Sequence, residues 1–229
     1  MSEFKSDEEG CIATTFERKY YHRGSAFIKR SLRPREFQTG HRGLYVPPRG
    51  IERLRNEAES IQFVREHTDV SVPELYCHFL DDGAYYLVMG YVEGVSMAHL
   101  PDEQKTIVRG ELERHRETLR TLTLTRMGGP SGIIVPPYRV LRHAESECWK
   151  LQPSETSEYV FCHNDLSQQN VIVDPESLKI TAIIDWEYAG FYPPQFDYPF
   201  YERLGPSAAI NGERDDSLEL LGYLRSRAI

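Results

Sequence analysis

No Cys-x-x-Cys pair, no zinc-like ligand spacing and no apolar run long enough to cross a bilayer occurs in the 229 residues. The four cysteines, Cys11, Cys77, Cys148 and Cys162, stand far apart, which argues against a redox dithiol or a metal knuckle and predicts reduced, mostly buried thiols. Residues 1–10 are polar and acidic and lack the apolar centre of a signal peptide, so the cytoplasm is the expected compartment and no membrane contact is expected. Positive charge is also in short supply: 27 basic against 35 acidic residues give a net charge of −8, which speaks against a nucleic-acid partner and is compatible with a cationic small molecule. The exception is the group Arg33, Arg35, Arg42, Arg49, Arg53 and Arg55, which falls within one proline- and glycine-containing segment and is expected to be a solvated loop, with contact to a phosphate or anionic partner as the alternative. At 40% hydrophobic content the chain can bury one sizeable core, or two lobes that share a hinge.

What is present is most informative between Val160 and Trp186. His163-Asn164-Asp165-Leu166 is followed at fixed spacing by Asn170 and, after two apolar runs, by Asp185-Trp186. Phosphoryl transfer needs a carboxylate to orient the attacking hydroxyl and accept its proton, and further oxygen ligands for the magnesium that bridges the nucleotide phosphates. Asp165 fits the first role, and Asn170 and Asp185 the metal-ligand roles. Isolated Asp and Asn residues are usually turn formers, but residues 171–173 and 180–184 read as short strands joined through Asp174-Pro175, so Asn170 and Asp185 would sit at adjacent strand ends facing one cleft. His163 reads as a buttress of this loop, because Asp165 already stands in the base position. Gln168 and Gln169 offer amides either to a substrate or only to the loop.

These motifs, with Asn170-Val171-Ile172-Val173-Asp174 and Ile184-Asp185-Trp186-Glu187-Tyr188-Ala189-Gly190, resemble the aminoglycoside phosphotransferase family, a small-molecule branch of the protein-kinase-like fold, and within it fungal members most. The resemblance is specific over residues 160–199 and weaker elsewhere. It implies an α+β, bilobal protein-kinase-like fold: a small antiparallel-sheet N-terminal lobe over residues 1–89 that binds nucleotide, a hinge at 90–94, and a mainly helical C-terminal lobe over 95–229. It also implies ATP and Mg2+ as cofactors and a small-molecule acceptor. Met89 would lie behind the adenine, the backbones of Gly90 and Val92 would form its hydrogen-bonding edge, and Asp197 would begin a helix that steadies the catalytic loop, with a substrate contact as its second role. Two departures from the family pattern stand out. No glycine-rich run precedes the lysine strand, so the phosphate-covering loop and its first strand are expected to be shortened or absent. Only 32 residues follow Asp197, so few of the family's acceptor-site helices are expected.

Along the rest of the chain, residues 14–21 and 25–32 are β-branched and aromatic enough for a hairpin about His22-Arg23-Gly24. Ala26-Phe27-Ile28-Lys29 then matches a strand-borne lysine that reaches nucleotide phosphates. A helix over 51–67 carries Leu54, Ala58, Ile61 and Val64 as an inward stripe, and Glu57 on its border would pair with Lys29. Asp81-Asp82-Gly83 is a hairpin turn between strands at 74–80 and 84–89, and Asp102 caps a long helix expected to run to Met127. Glu187, Asp197 and Glu202 could line an acceptor pocket with negative charge, walled by Tyr188, Phe191, Tyr192, Phe196, Tyr198, Phe200 and Tyr201, although such enrichment is more often core. Tyr138 and Trp149 read as ordinary core contacts. The expected activity is ATP- and magnesium-dependent phosphorylation of a small-molecule hydroxyl. The alternatives are a catalytically silent kinase-like protein that binds a metabolite or protein partner, and a fold repurposed for a non-phosphoryl reaction.

Overall fold

The structure, a computed structural model, describes residues 8–41, 43–144, 149–151, 153 and 159–228. Its first half is a five-stranded antiparallel sheet with the order β1-β2-β3-β7-β6, from β1 (Cys11–Thr14), β2 (Arg18–Arg23), β3 (Ala26–Ser31), β6 (Leu75–Asp81) and β7 (Ala84–Gly90). A short ribbon of β4 (Thr39–Gly40) and β5 (Gly43–Leu44) and the helix α1 (Gly50–His67) separate β3 from β6. The turns follow from local chemistry. Asp82 and Gly83 both have positive φ and join β6 to β7 in two residues, and Gly24 opens the two-residue turn between β2 and β3.

Two expectations change here. The expected first strand at 14–21 is two strands, because Thr15 Oγ1 accepts hydrogen bonds from the Glu17 and Arg18 amides and folds Thr15-Phe16-Glu17 into a turn. The strand preceding β2 is therefore present, as β1, and it is the connecting loop that is short. The arginine group is also not one solvated loop: Arg53 is buried, while Arg42 lies outside the described residues.

On α1 the stripe Leu54, Ala58, Ile61 and Val64 is fully buried, with Glu57 beside it. Beyond Gly90 the chain forms β8 (Val95–Ser96) and α2 (Asp102–Arg120), which presents Val108, Leu112 and Leu119 to the core. Pro101 is the residue before the first turn of α2 and Asp102 lies inside that turn, with no side-chain cap. The helix stops at Arg120 rather than Met127, because β9 (Thr123–Leu124) pairs with β10 (Tyr159–Cys162), a long-range partner that helical spacing cannot reveal. β10 also pairs with β13 (Gly190–Tyr192), while β11 (Val171–Val173) lies between β12 (Ile180–Ile183) and β8. The helices α3 (Tyr138–Leu141) and α4 (Ser217–Arg227) pack together. Of the aromatic group, Tyr188, Phe191, Tyr192, Phe196, Phe200 and Tyr201 are core, and only Tyr198 is half exposed. Of the described cysteines Cys162 alone is buried; Cys77 is exposed, Cys11 is intermediate, and Cys148 lies outside the described residues. No described helix is long and apolar enough to cross a membrane.

At Gly190 the chain passes close to the backbone of Gly128 and Gly129. The φ of Gly190 is 157°, and a Cβ there would lie 2.6 Å from the Gly128 carbonyl oxygen and 2.8 Å from the Gly129 nitrogen, backbone atoms that cannot swing aside. Gly190→Ala should therefore destabilise the fold by about 2–4 kcal/mol, seen as a lower midpoint in urea, whereas Gly110→Ala, where a Cβ meets nothing within 4 Å, should not destabilise it.

Candidate active site

The candidate site is assembled from three long-range pieces: the underside of the sheet, one face of α1, and the two loops that follow β10 and β12. Strand alternation puts Lys29 on the face of β3 that turns towards α1 and the Asp185 loop. There its Nζ donates to Glu57 Oε1 at 2.7 Å and contacts Asp185 Oδ1. Burial alone would discharge Lys29, but Asp185 and Glu57 outweigh it and hold the ammonium charged above the usual lysine range. Burial pushes Glu57 up despite Lys29. For Asp185 the opposite balance holds: burial would raise it, yet Lys29 and then Arg18 bring the carboxyl down to about 2.

The loop that carries His163 and Asp165 is held by its own polar groups. The His163 ring, buried against Trp186 with centroids 4.5 Å apart, accepts the Asp165 amide at Nδ1 (3.2 Å) and faces the Ile184 carbonyl from Nε2 (3.0 Å). A ring that accepts at one nitrogen and donates at the other is neutral, and burial pushes its pKa down to about 4, so His163 fixes the loop and carries no charge at pH 7. Asn164 (φ 67°) and Asp185 (φ 67°) both take the left-handed conformation that Asn and Asp tolerate better than other residues bearing a side chain. Asn164 Nδ2 then ties the two loops by donating to the Tyr188 carbonyl at 2.9 Å.

Asn170 Nδ2 donates to the Asp165 carbonyl (2.8 Å) and to its carboxylate (3.2 Å), which steadies Asp165 and leaves Asn170 Oδ1 without a hydrogen bond among the described residues. Burial, with a smaller contribution from the charge of Asp185, raises the Asp165 carboxyl to about 6 against the effects of Ser207 and Asn170. Asp165, Asn170 and Asp185 line one cavity of about 250 Å³ together with Arg53, Tyr138 and Gln169. Of the two loop glutamines, Gln169 is exposed on this cavity, while Gln168 is buried and donates to the Tyr201 carbonyl at 2.9 Å.

The three acids suggested for an acceptor pocket separate. Glu187 lies in the cavity wall, but its charge is taken up by Arg53, which donates to both its oxygens at 2.7 and 3.0 Å, and by Arg18. Asp197 faces a different cavity, where Arg116 and Arg120 of α2 hold it at 2.7 and 3.4 Å. Glu202 is exposed and lines neither cavity. At the strand end, Met89 is buried, and the Gly90 amide donates to the Glu74 carbonyl at 2.7 Å, so Gly90 could offer a ligand only its own carbonyl. The Val92 amide makes no backbone hydrogen bond among the described residues.

Arg18, Arg53, Tyr138 and Ser207 went unrecognised as site residues in the sequence. A period-two count along 18–23 would have placed Arg18 on the cleft face of its strand, and Arg53 stands four residues before Glu57, one helical turn away. Nothing local marks Tyr138 or Ser207.

Residues 109–200 match the family model described as the phosphotransferase enzyme family. The chain is similar to ethanolamine kinase 2 of Mus musculus, 26% identical over 158 residues that cover 62% of this chain and 40% of that protein. It is also similar to streptomycin 3''-kinase of Streptomyces griseus, 33% identical over 52 residues, 23% of this chain and 19% of the kinase. The chain thus spans well under half the length of these curated relatives. Among solved structures, aminoglycoside phosphotransferase APH(3'')-Id from Streptomyces rimosus, in complex with ADP and streptomycin, superposes with a TM-score of 0.54 at 16% identity, covering 81% of this chain and 73% of that one, a likeness of fold. The match over residues 109–200 and the likeness of fold both relate the chain to phosphotransferases, with a kinase-like α+β arrangement.

Proposed function

We propose that the protein transfers the terminal phosphoryl group of ATP to a hydroxyl of a small molecule. The observation that carries this reading is the convergence of Asp165, Asn170 and Asp185 on one cavity, with the Lys29–Glu57 ion pair adjoining it through Asp185. Residues 1–89 then act as the nucleotide lobe, 90–94 as the hinge with Met89 behind the base and the Gly90 carbonyl and Val92 amide at its edge, and 95–229 as the acceptor lobe. Because the named relatives are kinases of ethanolamine and streptomycin, the acceptor class to try first is an amino alcohol. The free thiols accord with a cytoplasmic setting.

The donor set suits magnesium. Among the described residues no group of three or more His, Cys, Asp or Glu side chains could hold a metal, so the protein would supply Asn170 Oδ1 and the Asp185 carboxylate, with phosphate oxygens and water completing the shell. Bound there, the ion would neutralise charge on the phosphates. The chain's own residues do the rest. Asp165 accepts the proton of the acceptor hydroxyl as its oxygen bonds to phosphorus, and the bond to the bridging oxygen of the leaving ADP breaks. His163 keeps the Asp165 amide, and so its carboxylate, in place, and Lys29, positioned by Glu57, neutralises the phosphates.

The direct test incubates the full chain with Mg-ATP and a panel of amino alcohols and follows ADP release. Acceptor-dependent release is expected. Binding of Mg-ATP with no transfer to any acceptor would favour the silent binder, and no binding at millimolar nucleotide would overturn the reading. Asp165→Asn should lower kcat by about 10²–10⁴-fold while ATP binding stays within a few-fold, because it removes proton acceptance yet keeps size and hydrogen bonding. Wild-type kcat in that variant would remove Asp165 from the base role.

Lys29→Ala and Glu57→Ala should each lower kcat/KM for ATP, and the double variant should resemble the worse single variant, since Glu57 acts through Lys29. Steady-state kinetics of all four proteins checks this; losses that add fully would mean that the two side chains work independently.

A further inference from the structure

In a kinase-like cleft the amides of a flexible glycine-rich turn can cradle the nucleotide phosphates. In the β1–β2 turn of this chain the Thr15, Glu17 and Arg18 amides are otherwise engaged. Thr15 Oγ1 accepts from the Glu17 amide at 3.2 Å and from the Arg18 amide at 3.0 Å, and the Thr15 amide donates to the Arg18 carbonyl at 2.8 Å. Gln38 Nε2 holds the Thr15 carbonyl at 3.2 Å, so the turn is also fastened from outside.

The first residue past that turn is a buried arginine. In the β2–β3 ladder Arg18 pairs with Ser31 and Tyr20 with Lys29, so Arg18 projects from the same face of the sheet as Lys29. Its side chain is 3% exposed. Nη2 meets Glu187, while Nε, equally buried, has no hydrogen-bond partner among the described residues. The Glu187 that holds Arg18 lines the same cavity as Asp165, Asn170 and Asp185. A buried guanidinium with an unused donor is costly unless something arrives to take it, and a phosphate oxygen next to Asp185 would. Lys29 cannot supply that charge alone, because Glu57 and Asp185 already share it.

We infer that Arg18 is a phosphate-binding residue: its guanidinium, held ready by Glu187, contacts the terminal phosphates of the nucleotide in place of the amides that Thr15 has engaged. This rests on the phosphotransferase reading. Arg53, the other arginine on Glu187, leaves the carboxylate paired when Arg18 turns to the phosphate, so the exchange strands no buried charge.

The test is isothermal titration of the full chain and of Arg18→Gln and Arg18→Lys with Mg-ATP, Mg-ADP and adenosine, each variant first checked for its melting midpoint. Arg18→Gln should weaken ATP by about 10–100-fold, the loss of a charged bidentate contact, and leave adenosine within twofold. Arg18→Lys should recover part of the loss for ATP. Equal losses for ATP and adenosine would make Arg18 a structural residue, and unchanged ATP affinity would remove it from the phosphate site; either result overturns the inference. Should Arg18→Gln fail to fold, Glu187→Gln keeps both arginines and loosens their hold, so ATP should bind severalfold tighter with adenosine unchanged, and equal or weaker ATP binding overturns the proposal. Wild-type protein that binds no nucleotide would instead sink the phosphotransferase reading, and this inference with it. Wild-type binding that Arg18→Gln preserves sinks this inference alone.

Discussion

Five carboxylates, Glu17, Glu57, Asp165, Asp185 and Glu187, meet in and around the cleft, and among the described residues three cations, Lys29, Arg18 and Arg53, pair with them. Charges this far out of water are tolerable only when each has an opposite neighbour and its hydrogen-bonding capacity is met. Sharing is the solution adopted. Lys29 serves Glu57 and Asp185, Arg53 serves Glu187 and Glu17, and Arg18 reinforces the Glu187 side. Among the described residues Asp165 makes no ion pair, and burial raises its carboxyl to about 6, whereas Glu57, which burial also raises, keeps Lys29 as its partner. The group left short of positive charge is thus the one that the proposed reaction needs as a proton acceptor, with its basicity raised towards neutrality. One of the acids held lowest is the one proposed to take a metal.

The same ion pairs fix the geometry. Arg53 and Asn56 lie on the α1 face that carries Glu57, and both reach the segment that follows Asp185: Arg53 to the Glu187 carboxylate, and Asn56 Nδ2 to the Glu187 and Ala189 carbonyls at 3.0 and 2.8 Å. α1 is therefore clamped to the Asp185 loop by side chains one and four residues before Glu57. Gly129 makes room for this clamp, since a Cβ there would fall 1.8 Å from Asn56 Oδ1. Gly128 and Gly129, which follow the expected helix end at Met127, are thus spacing elements around the site.

What could be read from sequence was what is local. The candidate catalytic motif, the α1 stripe, the Lys29 strand and both hairpin turns are patterns of fewer than thirty residues that a short window contains whole. What escaped depends on pairings that no short window contains. α2 ends early because β9 finds β10, and Asp197 belongs to Arg116 rather than to the cleft. Arg53 was misread for the same reason: in sequence it is one of a run of arginines beside prolines and glycines, and its partner Glu187 is 134 residues away.

The turn between β1 and β2 illustrates how a missing motif should be weighed. Lack of a glycine-rich run argues against a nucleotide site only if backbone amides are the one way to hold phosphate, and that premise fails where side-chain cations face the same space. Thr15 closes the turn with its hydroxyl, which removes the need for glycine and fixes where β2 begins. A fixed start to β2 sets its register against β3, and that register brings Arg18 to the Lys29 face. A one-residue slip would turn Arg18 to the opposite face of the sheet and leave Glu187 with Arg53 alone. The hydroxyl of one threonine in a surface turn thus decides whether the cleft has two cations from its sheet or one.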